Sequence, residues 1–362
     1  GYYDLSPLNA DGNRLLATAV PGGIGHPNGK GLARVGYFNL SQDVKFHDIG
    51  QTDTWCSQMG CRLRWFPDPT GAHVAYNIML DGRHCTVIQD LKNATDKLYL
   101  PMALYDISRD GKFGLSLNFA RLGWLRPGYG YAVGGDPRDD ELCPETEGIW
   151  HVDIPTGKST LIVGLPELLE IKPSPSMAGA YHYINHIALN PSGTRFLFFH
   201  IWVHDASSEW ACRLFTANID GSNLYLLEDK DQASHYAWRN DEILSVFILE
   251  GGGVGHYYQY TDRQNRKELM SKHLPNFDGH QSFSPAGNWL LTDSYPDRYF
   301  EQSLLLFSED GKKRVLGRYR PEGSYFDDLR CDLHPRWDYT GDSVIFDSAH
   351  NGGRAMYQIF IR

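Results

Sequence analysis

The sequence predicts an all-β protein built from seven repeated units of short strands, and two observations carry this prediction. Aromatic residues make up 13% of the 362 residues, and the chain contains 37 Gly and 19 Pro, which suits many short strands joined by tight turns. A polar turn of the type Pro/Asp-x-Gly followed by an apolar strand recurs seven times. Seven four-stranded units of this length indicate a seven-bladed β-propeller that spans residues 1–362 as a single domain.

Each predicted unit consists of a turn with its strand and of a hairpin that follows. The turn-plus-strand parts are residues 9–19, 66–77, 108–118, 190–200, 238–249, 284–294 and 338–348. The hairpin parts are residues 34–49, 83–100, 148–163, 213–227, 256–270, 303–319 and 356–361. The last unit stops after its third strand, so we expect residues 2–5 to complete that sheet.

A long insertion, a short connector and the cysteines complete the predicted organisation. The longest insertion, residues 122–147, separates strands of the third unit, and a loop of this length is expected to cover the mouth of the channel. Residues 166–172 predict a short helical connector. The six cysteines lack the dense spacing of a disulfide scaffold, so we expect mostly buried thiols, with a local bridge between Cys56 and Cys61 as an alternative.

The overall charge restricts the partners of the protein. A formal net charge of −10 without a Lys/Arg block argues against nucleic acid, and no apolar run is long enough to predict a membrane span. The chain begins at Gly1 without a charged and then apolar leader, so a signal peptide was either removed or never present. We expect a periplasmic or secreted location rather than a cytoplasmic one, and the oligomeric state is not indicated.

Four histidines occupy the same place in four consecutive units, three residues before a large apolar residue. They are His186, His235, His280 and His334. If the units are arranged radially, the four imidazoles converge on one axis, and such a group suits a divalent or transition metal. The alternative is that each histidine bonds the backbone of a neighbouring unit, which four histidines in register make less favoured.

The leading metal ligands are His280, Asp332 and His334. Asp332 and His334 are two residues apart, which places both side chains on one face of an extended segment. Cys331 is a further candidate whose thiolate would favour zinc, but strand alternation points it away from its neighbours.

A second group of residues is basic and aromatic and predicts an acidic ligand. Guanidinium groups bind carboxylates through two parallel hydrogen bonds, so several of them near a metal indicate an anionic substrate. Any one of them is more often a surface ion-pair partner. The group consists of Arg213, Arg239, Arg298, Arg330 and Arg336, with Tyr295 beside Arg298 in sequence.

Several motifs in residues 180–362 resemble the oligogalacturonate lyases, a family of seven-bladed propeller polysaccharide lyases that share their architecture with TolB-like propellers. The motifs are Phe-Phe-His at 198–200, Ser-His-Tyr-Ala-Trp at 234–238, Asp-Gly-His-Gln-Ser-Phe-Ser-Pro at 278–285 and Leu-His-Pro at 333–335. The resemblance implies a divalent cation, Mn²⁺ by family, with Zn²⁺ and Ca²⁺ as alternatives. No residue matches the glutamine ligand of the family.

The same resemblance implies roles for individual residues. His280 and His334 look like metal ligands, and Asp332 stands where the family has a further histidine. His235 looks like the active-site histidine, and Arg213 looks like the arginine that abstracts the proton. Because a guanidinium has a pKa above about 12, His235 is the better base on physical grounds, and both residues remain candidates.

The implied reaction is β-elimination on an oligosaccharide that contains uronic acids. The predicted substrate-binding residues are His186, His200, Arg239, Arg298, Arg330, Arg336 and Tyr295. Two alternatives remain open: a non-catalytic TolB-like propeller that binds a protein partner, and a glycoside hydrolase that uses Asp278 and Asp332 as its carboxylate pair. A lyase for a different uronate glycan is a variant of the first hypothesis.

Overall fold

Seven antiparallel sheets of three or four strands follow one another along the chain, which confirms the all-β, seven-bladed β-propeller class. The computed structural model describes residues 1–20, 23, 25–41, 44–132, 134, 140–205, 209–251, 253–321, 325 and 329–361. The described residues form two compact units, one of residues 1–6 and 227–362 and one of residues 7–226. The prediction of a single domain stays a prediction.

The unit of residues 7–226 contains three helical segments and four sheets, the last strand of which extends two residues beyond the unit. The first two sheets are β1 Arg14–Ala19, β2 Ala33–Asn39 and β3 Phe46–Thr52, and then β4 Arg64–Trp65, β5 His73–Leu80, β6 Arg83–Asp90 and β7 Lys97–Leu100. The next two are β8 Leu104–Ile107, β9 Phe113–Ser116, β10 Gly148–Asp153 and β11 Ser159–Gly164, and then β12 Tyr181–Leu189, β13 Arg195–Val203, β14 Ala211–Asn218 and β15 Tyr225–Glu228. The helical segments are α1 Phe119–Leu125, α2 Leu165–Glu170 and a 3₁₀ turn at Pro175–Met177.

The unit of residues 1–6 and 227–362 contains three sheets. They are β16 Gln232–Trp238, β17 Ile243–Leu249, β18 Gly255–Thr261 and β19 Lys267–Leu269, then β20 Ser282–Phe283, β21 Trp289–Asp293, β22 Gln302–Ser308 and β23 Lys313–Tyr319, and finally β24 Arg336–Trp337, β25 Ser343–Ser348 and β26 Ala355–Phe360.

The polar turns that mark the repeat are closed by one recurring hydrogen bond. A side-chain oxygen at the start of the turn accepts the backbone N–H five residues later, which holds the turn in register with the next strand. The accepting residues are Asn9, Asp68, Ser108, Asn190 and Ser284.

The core lies between the faces of neighbouring sheets within each unit. In one cluster Leu16 and Val35 of the first sheet pack with Val74 and Val87 of the second. In the other unit Leu291, Leu304 and Leu306 pack with Val344 and Phe346. The apolar strand residues read from the sequence therefore form the packed faces of the sheets. Burying each such side chain stabilises the fold by about 1.5–3 kcal/mol.

The expected closure of the last sheet by residues 2–5 is wrong. The sheet of β24, β25 and β26 has three strands among the described residues, and Tyr2 to Leu5 form a turn in which Leu5 N–H reaches the carbonyl of Tyr2. A strand would send adjacent side chains to opposite faces. Here the rings of Tyr2 and Tyr3 lie only 4.7 Å apart and pack together.

The long insertion differs from expectation in part, whereas the prediction of mostly buried thiols is confirmed. The insertion does separate β9 from β10, but it begins inside helix α1, and residues 133 and 135–139 of it lie outside the described residues, so its role as a cover stays a prediction. The short connector predicted at 166–172 is confirmed as α2. Cys56 and Cys61 are buried free thiols rather than a bridge, and burial raises their pKa values to about 12 and about 11.

Candidate metal centre

Three predicted ligands lie together in the unit that contains sheets β16–β26. One nitrogen each of His280 and His334 and one carboxylate oxygen of Asp332 all lie within 4.8 Å of one another, and all three residues are buried. His280 lies just before β20, and Asp332 and His334 lie just before β24, so two neighbouring sheets supply the group. The ring centroids of His280 and His334 are 4.3 Å apart.

The two imidazoles are held by their Nδ1 atoms. His280 Nδ1 lies 2.9 and 3.0 Å from the two carboxylate oxygens of Asp293, and His334 Nδ1 lies 3.2 Å from the carbonyl oxygen of Gly1. The Nε2 atoms of both rings are buried and have no hydrogen-bond partner among the described residues. A buried ring nitrogen without a partner is costly, and bonding to a cation removes that cost.

Local backbone geometry places these ligands. His334 has φ +42°, a left-handed conformation that costs a residue with a Cβ about 1–3 kcal/mol and persists only where the surroundings impose it. Gly279 precedes His280, and a Cβ at Gly279 would lie 2.0 Å from the carbonyl oxygen of Asp293. Only glycine therefore allows the His280 segment to approach the end of β21 so closely.

Asp332, besides belonging to this group of three, forms an ion pair with Arg330. Arg330 Nε donates to one oxygen at 2.5 Å and Arg330 Nη2 donates to the other at 2.9 Å. The guanidinium also lies over the ring of Tyr295, 4.5 Å from its centroid, and Tyr295 in turn lies 5.7 Å from His280. An ionised carboxylate has about four lone-pair sites, so this pairing leaves capacity for a cation.

His235 lies directly beside the three ligands. Its ring centroid is 4.1 Å from that of His280, and its Nδ1 lies 2.9 Å from Asp278 Oδ1. Ser234 Oγ donates to the other oxygen of Asp278 at 2.6 Å. Burial alone would raise the pKa of Asp278, but the charge and hydrogen bonds of His235 and Ser234 outweigh it and lower the pKa. An ionised carboxylate favours the proton on His235 Nδ1, so in the neutral imidazole the lone pair lies on Nε2.

A β-bulge aims His235 out of its sheet. The pairing of β16 with β17 shifts register between Ala233 and Tyr236, so Ser234 and His235 are unpaired in the ladder. The β12–β13 ladder shifts in the same way between Asn185 and Ala188, where His186 has φ +56°. Bulges redirect side chains next to functional sites. Two of the four histidines in register therefore lie at bulges within strands rather than at strand entries.

Tyr2 and Tyr3 form an aromatic wall of the centre. The Tyr2 ring lies 4.9 Å from that of His334, and the Tyr3 ring lies 5.2 Å from that of His280 and 5.7 Å from that of His235. Tyr3 is anchored through its hydroxyl, which donates to the carbonyl of Tyr236 and accepts the N–H of the same residue. The wall restricts water around the imidazoles, and a lower local dielectric strengthens electrostatic interactions there.

The remaining predicted site residues of this unit have other partners. Arg336 is buried, donates to Asp347 and to the carbonyl of Gly1, and so supports the segment that bonds His334. Arg239 follows β16 four residues beyond His235 and pairs with Glu309. Arg298 is exposed and lies over the ring of Tyr299. A substrate-binding role for each stays a prediction.

His186, His200 and Arg213 lie in the other unit. His186 Nδ1 is 3.4 Å from the hydroxyl of Tyr105. Arg213 is buried and donates to His200 Nδ1 at 3.0 Å and to the carbonyl of Leu168 at 2.8 Å. Nη1 of Arg213 donates to the carbonyl oxygens of residues 171 and 172, so the guanidinium caps the end of α2. The predicted role of Arg213 as the base stays a prediction, and its contacts fit a structural role.

A chain of buried imidazoles extends from Arg213, and we expect it to make the protein sensitive to acid. His200 Nε2 lies 2.9 Å from His182 Nδ1. Burial, with the guanidinium of Arg121 adding to it, lowers the pKa of His182 to about 4. The unfolded chain takes up this proton near pH 6.5, so the free energy of unfolding should fall as the pH drops from about 6.5 to about 4, by about 3 kcal/mol for this group.

Urea unfolding of the wild type and of His182→Gln across this pH range measures the effect. The variant should show a smaller loss of stability on acidification, because a glutamine takes up no proton. His47→Gln, at an exposed position of the same unit, is the matched control and should keep the slope of the wild type. Equal slopes for the wild type and His182→Gln would contradict the assignment.

The donor set of the centre fits a first-row divalent cation. Two imidazole nitrogens and one carboxylate oxygen are ligands that zinc, manganese and iron accept, whereas calcium is bound almost entirely by oxygen. Cys331, the other candidate, is a buried thiol that does not belong to the group of donor atoms within 4.8 Å of one another, and burial raises its pKa to about 12.

The three candidate ligands named from the sequence lie together, but the groups that contact them were not predicted. Asp293, Asp278 as the partner of His235, and the two N-terminal tyrosines were not assigned these roles. Asp293 ends a predicted strand, and a carboxylate at that position was the available signal. The tyrosines had no such signal, because their neighbours are more than 230 residues away in sequence.

Comparison with solved structures places the chain in the class of seven-bladed β-propellers. No protein-family model and no curated protein matches the sequence.

None of the helices among the described residues is long and apolar enough to cross a membrane.

Two of the similar structures are oligogalacturonate lyases, one in complex with manganese and one from Vibrio parahaemolyticus. The first has a TM-score of 0.71 and 16% identity and covers 100% of this chain and 89% of that chain. The second has a TM-score of 0.68 and 15% identity, and it covers 100% of this chain and 90% of that chain. The propeller domain of the Trilobed protease from Pyrococcus furiosus is less similar, with a TM-score of 0.54, 12% identity and coverage of 96% and 90%. The predicted resemblance to oligogalacturonate lyases is confirmed at the level of the fold.

Proposed function

We propose that the protein is a metal-dependent lyase that cleaves oligosaccharides containing uronic acids by β-elimination. Two observations carry the proposal: one ring nitrogen each of His280 and His334 lies within 4.8 Å of a carboxylate oxygen of Asp332, and the Nε2 atoms of both rings are buried without a hydrogen-bond partner among the described residues. These three residues would hold the cation, and we propose a Mn²⁺- or Zn²⁺-type ion rather than Ca²⁺ because of the nitrogen donors. The similarity to a manganese complex of an oligogalacturonate lyase supports this choice.

The proposed chemistry is the removal of the C5 proton of a uronate and the loss of the sugar oxygen at C4. The electron pair of the C5–H bond forms the C4–C5 double bond and the C4–O bond breaks. The leaving oxygen takes up a proton from solvent, and the base returns the C5 proton to solvent. The step is difficult because the C5 proton lies next to a carboxylate. A bound divalent ion supplies Lewis-acid stabilisation of that carboxylate, worth several kcal/mol.

His235 is the proposed base. The proton on Nδ1 faces the ionised Asp278, so Nε2 is the atom that accepts the C5 proton, and Asp278 stabilises the imidazolium that results. Arg330 is the proposed partner of the substrate carboxylate, since Asp332 and the Tyr295 ring hold its guanidinium beside the ligands. The tyrosine wall limits the water that competes for the site.

The two alternatives explain fewer of these contacts. A propeller that only binds a protein partner gives no reason for two buried ring nitrogens that face one carboxylate. A glycoside hydrolase needs one carboxylic acid that stays protonated, but the pKa of Asp278 is lowered and Asp332 is engaged by a guanidinium.

The proposal is tested with a panel of uronate oligosaccharides, including oligogalacturonates. We expect an increase in ultraviolet absorbance from the unsaturated product when the protein is loaded with Mn²⁺, and loss of this increase after chelation with recovery on adding Mn²⁺ back. Release of saturated reducing ends without the absorbance would indicate hydrolysis instead. No turnover of any uronate by the metal-loaded protein would contradict the proposed function.

A further inference from the structure

The carboxylate of Asp293 is the most heavily used acceptor around the metal centre. It ends β21 and is fully buried. Oδ1 accepts the backbone N–H of His280 at 2.7 Å, and Oδ2 accepts the backbone N–H of His334 at 3.1 Å. Both oxygens also lie within 3.0 Å of His280 Nδ1. One carboxylate therefore bonds the main chain of both imidazole ligands and the ring of one.

These contacts join segments from two different sheets. His280 leads into β20 of the sheet that contains Asp293, whereas His334 leads into β24 of the next sheet. The His334 segment has the strained φ noted above, and the hydrogen bond to Asp293 is one of the contacts that hold it there. Losing Asp293 would release both ligand segments at once.

A carboxylate suits this position better than an amide. Two of the three groups that face it are backbone N–H donors, and the third is a ring nitrogen that can donate to a carboxylate, which when ionised only accepts hydrogen bonds. An asparagine would turn an NH₂ group toward at least one of these donors and leave a buried donor unsatisfied. Gly279 allows the close approach that these bonds require, because any Cβ there would clash with Asp293.

We propose that Asp293 is the positioning residue of the metal centre: it fixes the backbone of His280 and His334 and keeps the proton of His280 on Nδ1, so that both Nε2 atoms face one cation. This role rests on the proposed metal centre. Carboxylates that orient a ligating histidine commonly contribute about 10- to 100-fold to metal affinity.

The test compares Asp293→Asn with Asp338→Asn in the full-length protein. Asp338 is a matched control, because its carboxylate also accepts several N–H and O–H groups in the same unit but contacts none of the three ligands. Titration calorimetry with Mn²⁺ should show about 10- to 100-fold weaker binding for Asp293→Asn and unchanged binding for Asp338→Asn. The visible spectrum of bound Co²⁺ should change only in Asp293→Asn, since it reports ligand geometry rather than stability.

Equal Mn²⁺ affinity and an unchanged Co²⁺ spectrum in Asp293→Asn would overturn the inference and leave the proposed function intact. If that variant does not fold, the wild type still decides the question. Nitrogen-15 NMR of the metal-free protein at alkaline pH, where imidazole is neutral, should show His280 protonated on Nδ1, and protonation on Nε2 would overturn the inference. Absence of Mn²⁺ binding by the wild type would contradict the metal centre, while the NMR result would still judge how Asp293 orients His280.

Discussion

His280→Ala is expected to retain no divalent cation after dialysis and to lose elimination activity by about a thousand-fold or more. The substitution removes one of two nitrogen ligands and leaves the Asp293 carboxylate without its ring partner. Lewis-acid stabilisation is worth several kcal/mol, and each 1.36 kcal/mol corresponds to a tenfold change in rate. Metal content by mass spectrometry and the rate of absorbance increase measure the two effects on the same sample.

A matched control separates this effect from loss of structure. His273→Ala changes an exposed histidine of the same unit and should keep the metal content and rate of the wild type. The thermal midpoint of His280→Ala shows whether the fold survives. A folded His280→Ala protein that keeps both metal and activity would remove His280 from the site.

His235→Ala is expected to bind metal as the wild type does and to lose turnover by about a hundred- to ten-thousand-fold, the range that a positioned base contributes. His235 lies beside the ligands but is not one of them. Because alanine leaves the half-buried Asp278 without its imidazole partner, His235→Gln is the better second variant: its amide can donate to Asp278 but cannot accept the substrate proton. Unchanged turnover in both variants would exclude His235 as the base.

Substitution of Arg213, the other candidate for the base, is expected to affect stability and turnover differently. Its guanidinium bonds the carbonyl of Leu168 and the ring of His200, so Arg213→Lys should lower the thermal midpoint by removing several of these hydrogen bonds. If Arg213 only supports α2, the folded variant keeps most of its turnover at low temperature. Loss of turnover with an unchanged thermal midpoint would favour Arg213 as the base.

The blades were predictable because their signals are local. The turn at 190–194 is one of several that begin with a short polar side chain and lead into an apolar strand, and the hydrogen bond from Arg195 N–H to Asn190 closes it within six residues. The register of His235, His280 and His334 is a property of the same repeat. Once the sheets were assigned, the placement of these three rings together followed from the fold.

The supports of the centre were not predictable, because they depend on contacts between distant segments. The carbonyl of Gly1 reaches His334, 333 residues away, and nothing near Gly1 in sequence indicates this. The same holds for Tyr3 and Tyr236. The expectation that residues 2–5 would form a strand failed for the same reason: packing of two rings against the imidazoles outweighs the pairing that the strand count suggested.

The proposed metal centre is tested most directly by soaking a crystal of the protein with Mn²⁺ and measuring it at the manganese absorption edge. We expect a single strong anomalous peak bonded to Nε2 of His280, Nε2 of His334 and a carboxylate oxygen of Asp332. A map with no peak among these three residues at saturating Mn²⁺, or with its peak bound elsewhere, would contradict the metal centre and the elimination chemistry built on it.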